Sequence, residues 1–369
     1  MASKKSFGIP LHWLRRAGLC LILSSVQLHC LGYLARAGCG QLEIMWNRRP
    51  IPEVIADDQT APEVRRRLEH VEIVRDYARE RLGLAVADTY TSYSHLDREA
   101  IAWNVSASER LRLRAKTWWF PIVGEVPYLG FFSKAEATEL RDELAGQGWD
   151  TIVSTVSAYS TLGWFDDPLV SPQMRYSEWQ LAELVIHEST HATLWFPGDV
   201  SFNESFASFV GRTGALQFYR EQFGADSPEY AERLRHLREI NELSLIFRNY
   251  AKKLNDTYDQ NKTDDWKSGE KYRLLEELKN TLVQKEPEFR TLNLKNLRDR
   301  EWNNAHFLMY LRYESGEDFF EQEFDICHRQ WPCFLQRMHD LESLDENERR
   351  KLLHAEAKEQ NNSGASQPE

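Results

Sequence analysis

LVIHESTHATLWFPGDVSFNESFASFVG, residues 184–211, is the stretch on which fold and function turn. Within it stands His187-Glu188-Ser189-Thr190-His191. Residues four apart on a helix lie on one face, so His187 and His191 are placed to turn two imidazoles toward one ion. Glu188 is rotated from His187 by about 100° of helical turn and flanks such a site instead of completing it. Two ligands with an adjacent carboxylate are what Zn(II)-assisted hydrolysis needs, the carboxylate taking a proton from water. Upstream, Glu178, Trp179, Leu181, Ala182, Leu184, Val185 and Ile186 form an apolar-rich run without glycine or proline, which predicts a largely buried helix. A catalytic zinc usually takes three protein ligands and leaves a position to water. Pro197-Gly198-Asp199 reads as a turn, Ser201 as a cap, and Phe202 onward as a second helix. The 12 residues between His191 and Glu204 suffice for a reversal that brings Glu204 back against the histidines. Asp199, in the turn, and Glu183, one turn before His187, are poorer candidates. Against ligation by Glu204 stands a competing use: Ser201-x-x-Glu204 is also a capping box, in which Glu204 would serve the backbone of its own helix.

His187-Glu188-x-x-His191 followed by Asn203-Glu204-x-x-Ala207 resembles the glutamate-liganded zincin metallopeptidases. Over residues 30 to 345 the chain resembles, more closely, a bacterial family of predicted aminopeptidases. Gly32-Tyr33 with Gly40-Gln41-Leu42, VGEVPYLGFF (123–132), AYSTLGWFDDPL (158–169), the metal segment and NNAHFLMYLRY (303–313) carry the likeness. The resemblance implies an α+β, zincin-like core, with His187, His191 and Glu204 as zinc ligands and Glu188 as general base. His306 stands where the resemblance leads one to expect a different basic residue and is given no role. An oxyanion donor is also needed. Tyr159, Tyr176 and Tyr313 are candidates, Tyr159 first, because in zincins an edge strand at this place holds substrate over the metal. The resemblance implies a peptide substrate shortened from its N-terminus. A free amine losing water on entry calls for a carboxylate, and Glu125, Asp166 and Asp167 are the residues on offer. A metalloendopeptidase with the same chemistry and a non-catalytic, membrane-attached interaction protein are the alternatives.

Elsewhere the sequence divides into an N-terminal segment (1–39), an α+β core (40–212), a mainly helical C-terminal region (213–345) and a disordered tail (346–369). The formal charge of −11, with no Arg/Lys face, argues against nucleic acid as a partner. Lys4, Lys5, Arg15 and Arg16 precede an apolar run over residues 17–28, the pattern of an export signal. The run is short of the roughly 20 residues that span a bilayer. With the resemblance, this implies export in a Gram-negative bacterium, to the periplasm or to membrane attachment. Cys30 occupies the lipidation place of the family's lipoproteins, although His29 precedes it where a small residue is normal. Cys327 and Cys333 are placed for a local disulfide in an oxidising compartment. A helix is expected over 62–82 with Thr60 as cap and Gly83 as stop. Strands are expected at 102–107, 118–120, within 123–132 and at 151–160, and a helix capped by Ser133 follows residue 132. Helices at 213–222, 228–253 and 267–285 are separated by a linker over 255–266, with more helix over 316–345.

Overall fold

The computed structural model describes residue 38 and residues 40–86, 89–120, 124–156, 167–312 and 317–354. The architecture is α+β, mixed at the N-terminal side and largely helical after Gly211. A short helix, α1 (residues 40–46), leads into β1 (Arg48–Pro50), α2 (Ile51–Ala56) and α3 (Pro62–Glu80). Pro62 opens α3, where its missing N–H costs nothing. Gly83 takes the left-handed conformation just beyond it, as expected of a stop. Thr60 does not cap this helix: Ala61 holds that position, and the Thr60 hydroxyl instead donates to Val54 O at 2.6 Å, closing the turn after α2.

Among the described residues the strands are short and form three small sheets. β2 (Ser92–Ser94) pairs antiparallel with β1 and parallel with β8 (Leu169–Val170). β3 (Trp103–Ser108) lies between β6 (Leu129–Phe131) and β7 (Asp150–Thr155), antiparallel to both. β4 (Trp118–Phe120) and β5 (Gly124–Val126) pair with each other. Helix α4 (Lys134–Gly146) packs on β3 and β7 through Ala137, Leu140 and Leu144, and Ser133 Oγ accepts from Glu136 N at its start. β7 is therefore an edge strand, as the sequence suggested for this region, over 150–155 of the expected 151–160; residues 157–166 lie outside the described part.

Ser177 and Gln180 form a capping box at the head of α5 (Glu178–Thr193), whose partner is α6 (Val200–Phe223). The largest apolar core gathers around this pair. It takes Leu68, Val71 and Val74 from α3, Val185 and Ile186 from α5, and Phe202, Phe206 and Phe209 from α6. It also takes Phe320 and Phe324 from the C-terminal region, which thereby closes the core instead of standing apart.

That region runs α7 (Pro228–Tyr258), α8 (Asp264–Lys285), α9 (Lys295–Arg298), α10 (Asn304–Arg312), α11 (Glu317–Ile326, which carries Phe320 and Phe324), α12 (Trp331–Asp340) and α13 (Glu346–His354). The boundary expected at 212 falls inside α6, because that helix carries core residues on both sides of it. The expected linker over 255–266 shortens: α7 continues to Tyr258, since Leu254 and Tyr258 are buried, and Thr263 already caps α8. α13 lies beyond residue 345, where a tail was expected; Leu353 joins the main core. A second core forms where α7, α8 and α10 meet, with Phe247, Leu278 and Phe307 at its centre. Cys327 and Cys333 are joined by a disulfide across the reversal between α11 and α12. No described helix is long and apolar enough to cross a membrane.

Candidate metal centre

The two helices that carry the motif pack closely against each other. His187 and His191 sit one turn apart on α5, and their Nε2 atoms are 3.1 Å from each other. Glu204 approaches from α6, with one carboxylate oxygen 3.5 Å from His187 Nε2 and the other 3.6 Å from His191 Nε2. One ligand atom from each of the three side chains lies within 4.8 Å of the others. The imidazoles are largely covered, whereas the Glu204 side chain is 35% exposed, so the cluster opens to solvent on the α6 side.

The capping-box alternative is not realised. Asp199, not Ser201, is the N-cap of α6, and its Oδ1 accepts from Phe202 N at 3.2 Å. Glu204 then lies beyond the first turn, where no free N–H of its own helix needs it. Both Asp199 and Ser201 are cap-type residues. Asp199 prevails because its other oxygen is engaged as well: Arg349 Nε on α13 donates to Asp199 Oδ2 at 3.0 Å, and both side chains are buried. Asp199 is thereby removed from the list of ligands.

Asn203 is fully buried beside Glu204 and fixes the reversal between the helices. Its amide oxygen accepts from Phe196 N at 2.9 Å, while its nitrogen donates to Phe196 O at 2.8 Å and Asp199 O at 2.9 Å. A buried loop has backbone groups to satisfy, and one amide side chain satisfies three of them. Asn203 belongs to the Asn203-Glu204-x-x-Ala207 motif, whose spacing alone does not disclose this role.

The electrostatics follow from this packing. Burial works against charge on His187, but the Glu204 hydrogen bond and the carboxylates of Glu188, Glu204 and Glu183 outweigh it and raise its pKa. Burial, with the neighbouring His187, lowers His191 to about 4. Burial opposes ionisation of Glu204, yet the His187 hydrogen bond and the two imidazoles bring its pKa below the ordinary carboxylate range. A carboxylate facing two imidazoles is a donor set that could hold a borderline divalent metal.

Glu188 is buried on α5 next to the candidate ligand His187. Tyr90, also buried and with a left-handed backbone at φ 58°, lies in its neighbourhood. Burial first, then the charges of Glu188 and Asp167, push the Tyr90 hydroxyl well above the usual phenol range. Tyr90 N donates to Asp167 O at 3.0 Å, and the Asp167 side chain is buried. The structure therefore brings Asp167 into the surroundings of Glu188. It does not do so for Glu125, which is exposed on β5 across from Trp119. Tyr176 caps the 3-10 turn ahead of α5 and packs against the main core. Tyr159, Asp166, Tyr313 and Cys30 lie outside the described residues. His306 on α10 packs on Trp302, and burial and Arg300 lower it to about 4. Its neighbour Asn303 donates to Thr151 O at 3.0 Å and so occupies part of the β7 edge proposed for substrate. Tyr90 and Asn203 were not recognisable as site residues; a left-handed tyrosine and a fold-back amide leave no periodic signal.

A family model described as "Putative aminopeptidase" matches residues 32–353. The chain belongs to that family. No curated protein and no solved structure matches it. Membership in the aminopeptidase family supports peptide hydrolysis in general terms, and His187, His191 and Glu204 are the family member's candidate metal site.

Proposed function

We propose that the protein is a zinc-dependent aminopeptidase. The observation that carries this reading is the convergence of His187, His191 and Glu204 from two helices, with the buried carboxylate of Glu188 beside them. Two imidazoles and one carboxylate favour zinc over magnesium, which prefers oxygen ligands and retained waters. A bound zinc would lower the pKa of water at its open position and polarise a carbonyl oxygen. Glu188 accepts the water proton on its carboxylate and delivers it to the leaving amine. Tyr159 remains the proposed oxyanion donor. Among the carboxylates offered for the substrate amine, Asp167 is favoured by its burial and by its shared action with Glu188 on Tyr90. A desolvated carboxylate offsets the cost of desolvating an ammonium group. We also propose export, on the basis of the basic and apolar pattern of residues 1–28; mass spectrometry of the mature N-terminus reads it, and an intact Met1 on a cytoplasmic protein contradicts it.

The test uses one peptide with a free and with an acetylated N-terminus and follows products by mass. Release of the first residue from the free form alone is expected. Internal cleavage of both forms would replace the aminopeptidase by an endopeptidase and leave the metal reading untouched.

A further inference from the structure

We propose that Gly211 is a positioning residue for the metal centre, the point at which α6 is allowed close enough to α5 for Glu204 to meet the histidines. The inference rests on the metal-site reading above. Glycine is among the poorest helix formers, so one in the interior of a 24-residue helix calls for a reason in packing. The reason is visible at this position. A Cβ placed on Gly211 would lie 2.9 Å from the backbone oxygen of Glu183, 3.1 Å from His187 Cβ and 3.4 Å from His187 Cα. These neighbours belong to the backbone and the first side-chain atom of a hydrogen-bonded helix. They have no rotamer by which to give way. A methyl group at 211 is accommodated only by moving α6 away from α5 at the turn that bears His187.

That displacement reaches Glu204. Residues seven apart share a helix face, and Gly211 lies two turns beyond Glu204. Metal sites tolerate ligand-distance errors of only about 0.2 Å. A shift that relieves a 2.9 Å contact between carbon and a fixed carbonyl oxygen is of that size or larger.

Gly214, one turn further, supplies the control. A Cβ there would meet Leu82 Cδ1 at 2.7 Å and two side-chain carbons of Ile186 at 3.1 and 3.4 Å. Leu82 Cδ1 and Ile186 Cδ1 are ends of flexible side chains, Ile186 Cγ2 is a side-chain methyl at 3.1 Å, no backbone atom is among the three, and neither residue is a candidate ligand. Gly214→Ala strains the same helix interface without pressing on the backbone at His187.

The experiment compares the full chain, Gly211→Ala and Gly214→Ala. Zinc affinity is measured by chelator competition, and the visible spectrum of the Co(II)-substituted protein reports ligand geometry. Circular dichroism establishes that each apo protein is folded. Gly211→Ala is expected to weaken zinc binding roughly 10- to 100-fold, the range seen when support for a ligand is removed, and to alter the cobalt spectrum. Gly214→Ala is expected to lose thermal stability and keep both the affinity and the spectrum. Should Gly211→Ala be unfolded in buffer, the titrations of all three proteins are run in trimethylamine N-oxide, which strengthens burial. Folded Gly211→Ala with the affinity and spectrum of the unsubstituted chain overturns the inference alone. An unsubstituted chain that binds no zinc overturns the metal-site reading on which it rests.

Discussion

The turn of α6 that carries Glu204 and the turn of α7 that carries Glu239 hold two glutamates whose carboxyls are both kept below their ordinary pKa. Their partners differ. Burial raises Glu239, but the Thr291 hydroxyl and the N–H groups of Arg290, Thr291 and Leu292 donate to it and more than compensate. Glu239 is therefore a loop clamp, with its lone pairs satisfied by the backbone it organises. Among the described residues Glu204 has no such set of backbone donors; it faces two imidazoles and solvent. The contrast teaches that a recessed carboxylate is informative through the type of its partners. Backbone donors indicate architecture, and converging imidazoles indicate a candidate cation site.

The contrast can be broken most severely at Glu188. Glu188→Gln retains shape and removes the proton acceptor, so turnover should fall about 10²- to 10⁴-fold while zinc stays bound. Steady-state kinetics with parallel metal analysis check this, and parallel loss of metal would make Glu188 a ligand or its support. Glu204→Ala should come next. Removing one of three ligands should weaken zinc by more than the roughly 10- to 100-fold typical of an outer partner. Unchanged affinity would require another third ligand.

Arg349→Gln sharpens the picture from a distance. It leaves Asp199 buried without its ion partner, and breaking such pairs typically costs about 3–5 kcal/mol of stability. Denaturant unfolding should show the loss, and Asp199→Asn with Arg349→Gln should recover most of it, because asparagine caps a helix as well as aspartate does. Glu239→Gln should have the smallest effect, about 1–3 kcal/mol of stability with zinc affinity unchanged. The pH dependence follows from the direction of its shift. A folded pKa below the unfolded one gives a contribution that is whole above the unfolded value and lost as pH falls through the folded one. Glu239→Gln should therefore flatten the acid limb of the stability profile, and an unchanged limb would contradict the clamp.

The sequence disclosed what is local and periodic. Four-residue spacing placed His187 and His191 on one face, the reversal length allowed Glu204 to return, and six-residue spacing paired Cys327 with Cys333. The strand at 103–108 and the cap at Ser133 were also legible. What was hidden depends on contacts distant in sequence. Asp199 outcompetes Ser201 as a cap with help from Arg349, 150 positions away. Asp167 acquires its surroundings from Tyr90, whose left-handed backbone no hydrophobic period announces. Thr60 has the composition of a cap and spends its hydroxyl on the preceding turn.

Metal content measures the central claim most directly. After exhaustive dialysis the purified chain should retain about one zinc, since His187, His191 and Glu204 match in number the three protein ligands a catalytic zinc usually takes. The His187→Ala, His191→Ala double variant, verified as folded, should retain none. Equal zinc in that double variant would contradict the assignment of the α5–α6 pair as the metal centre.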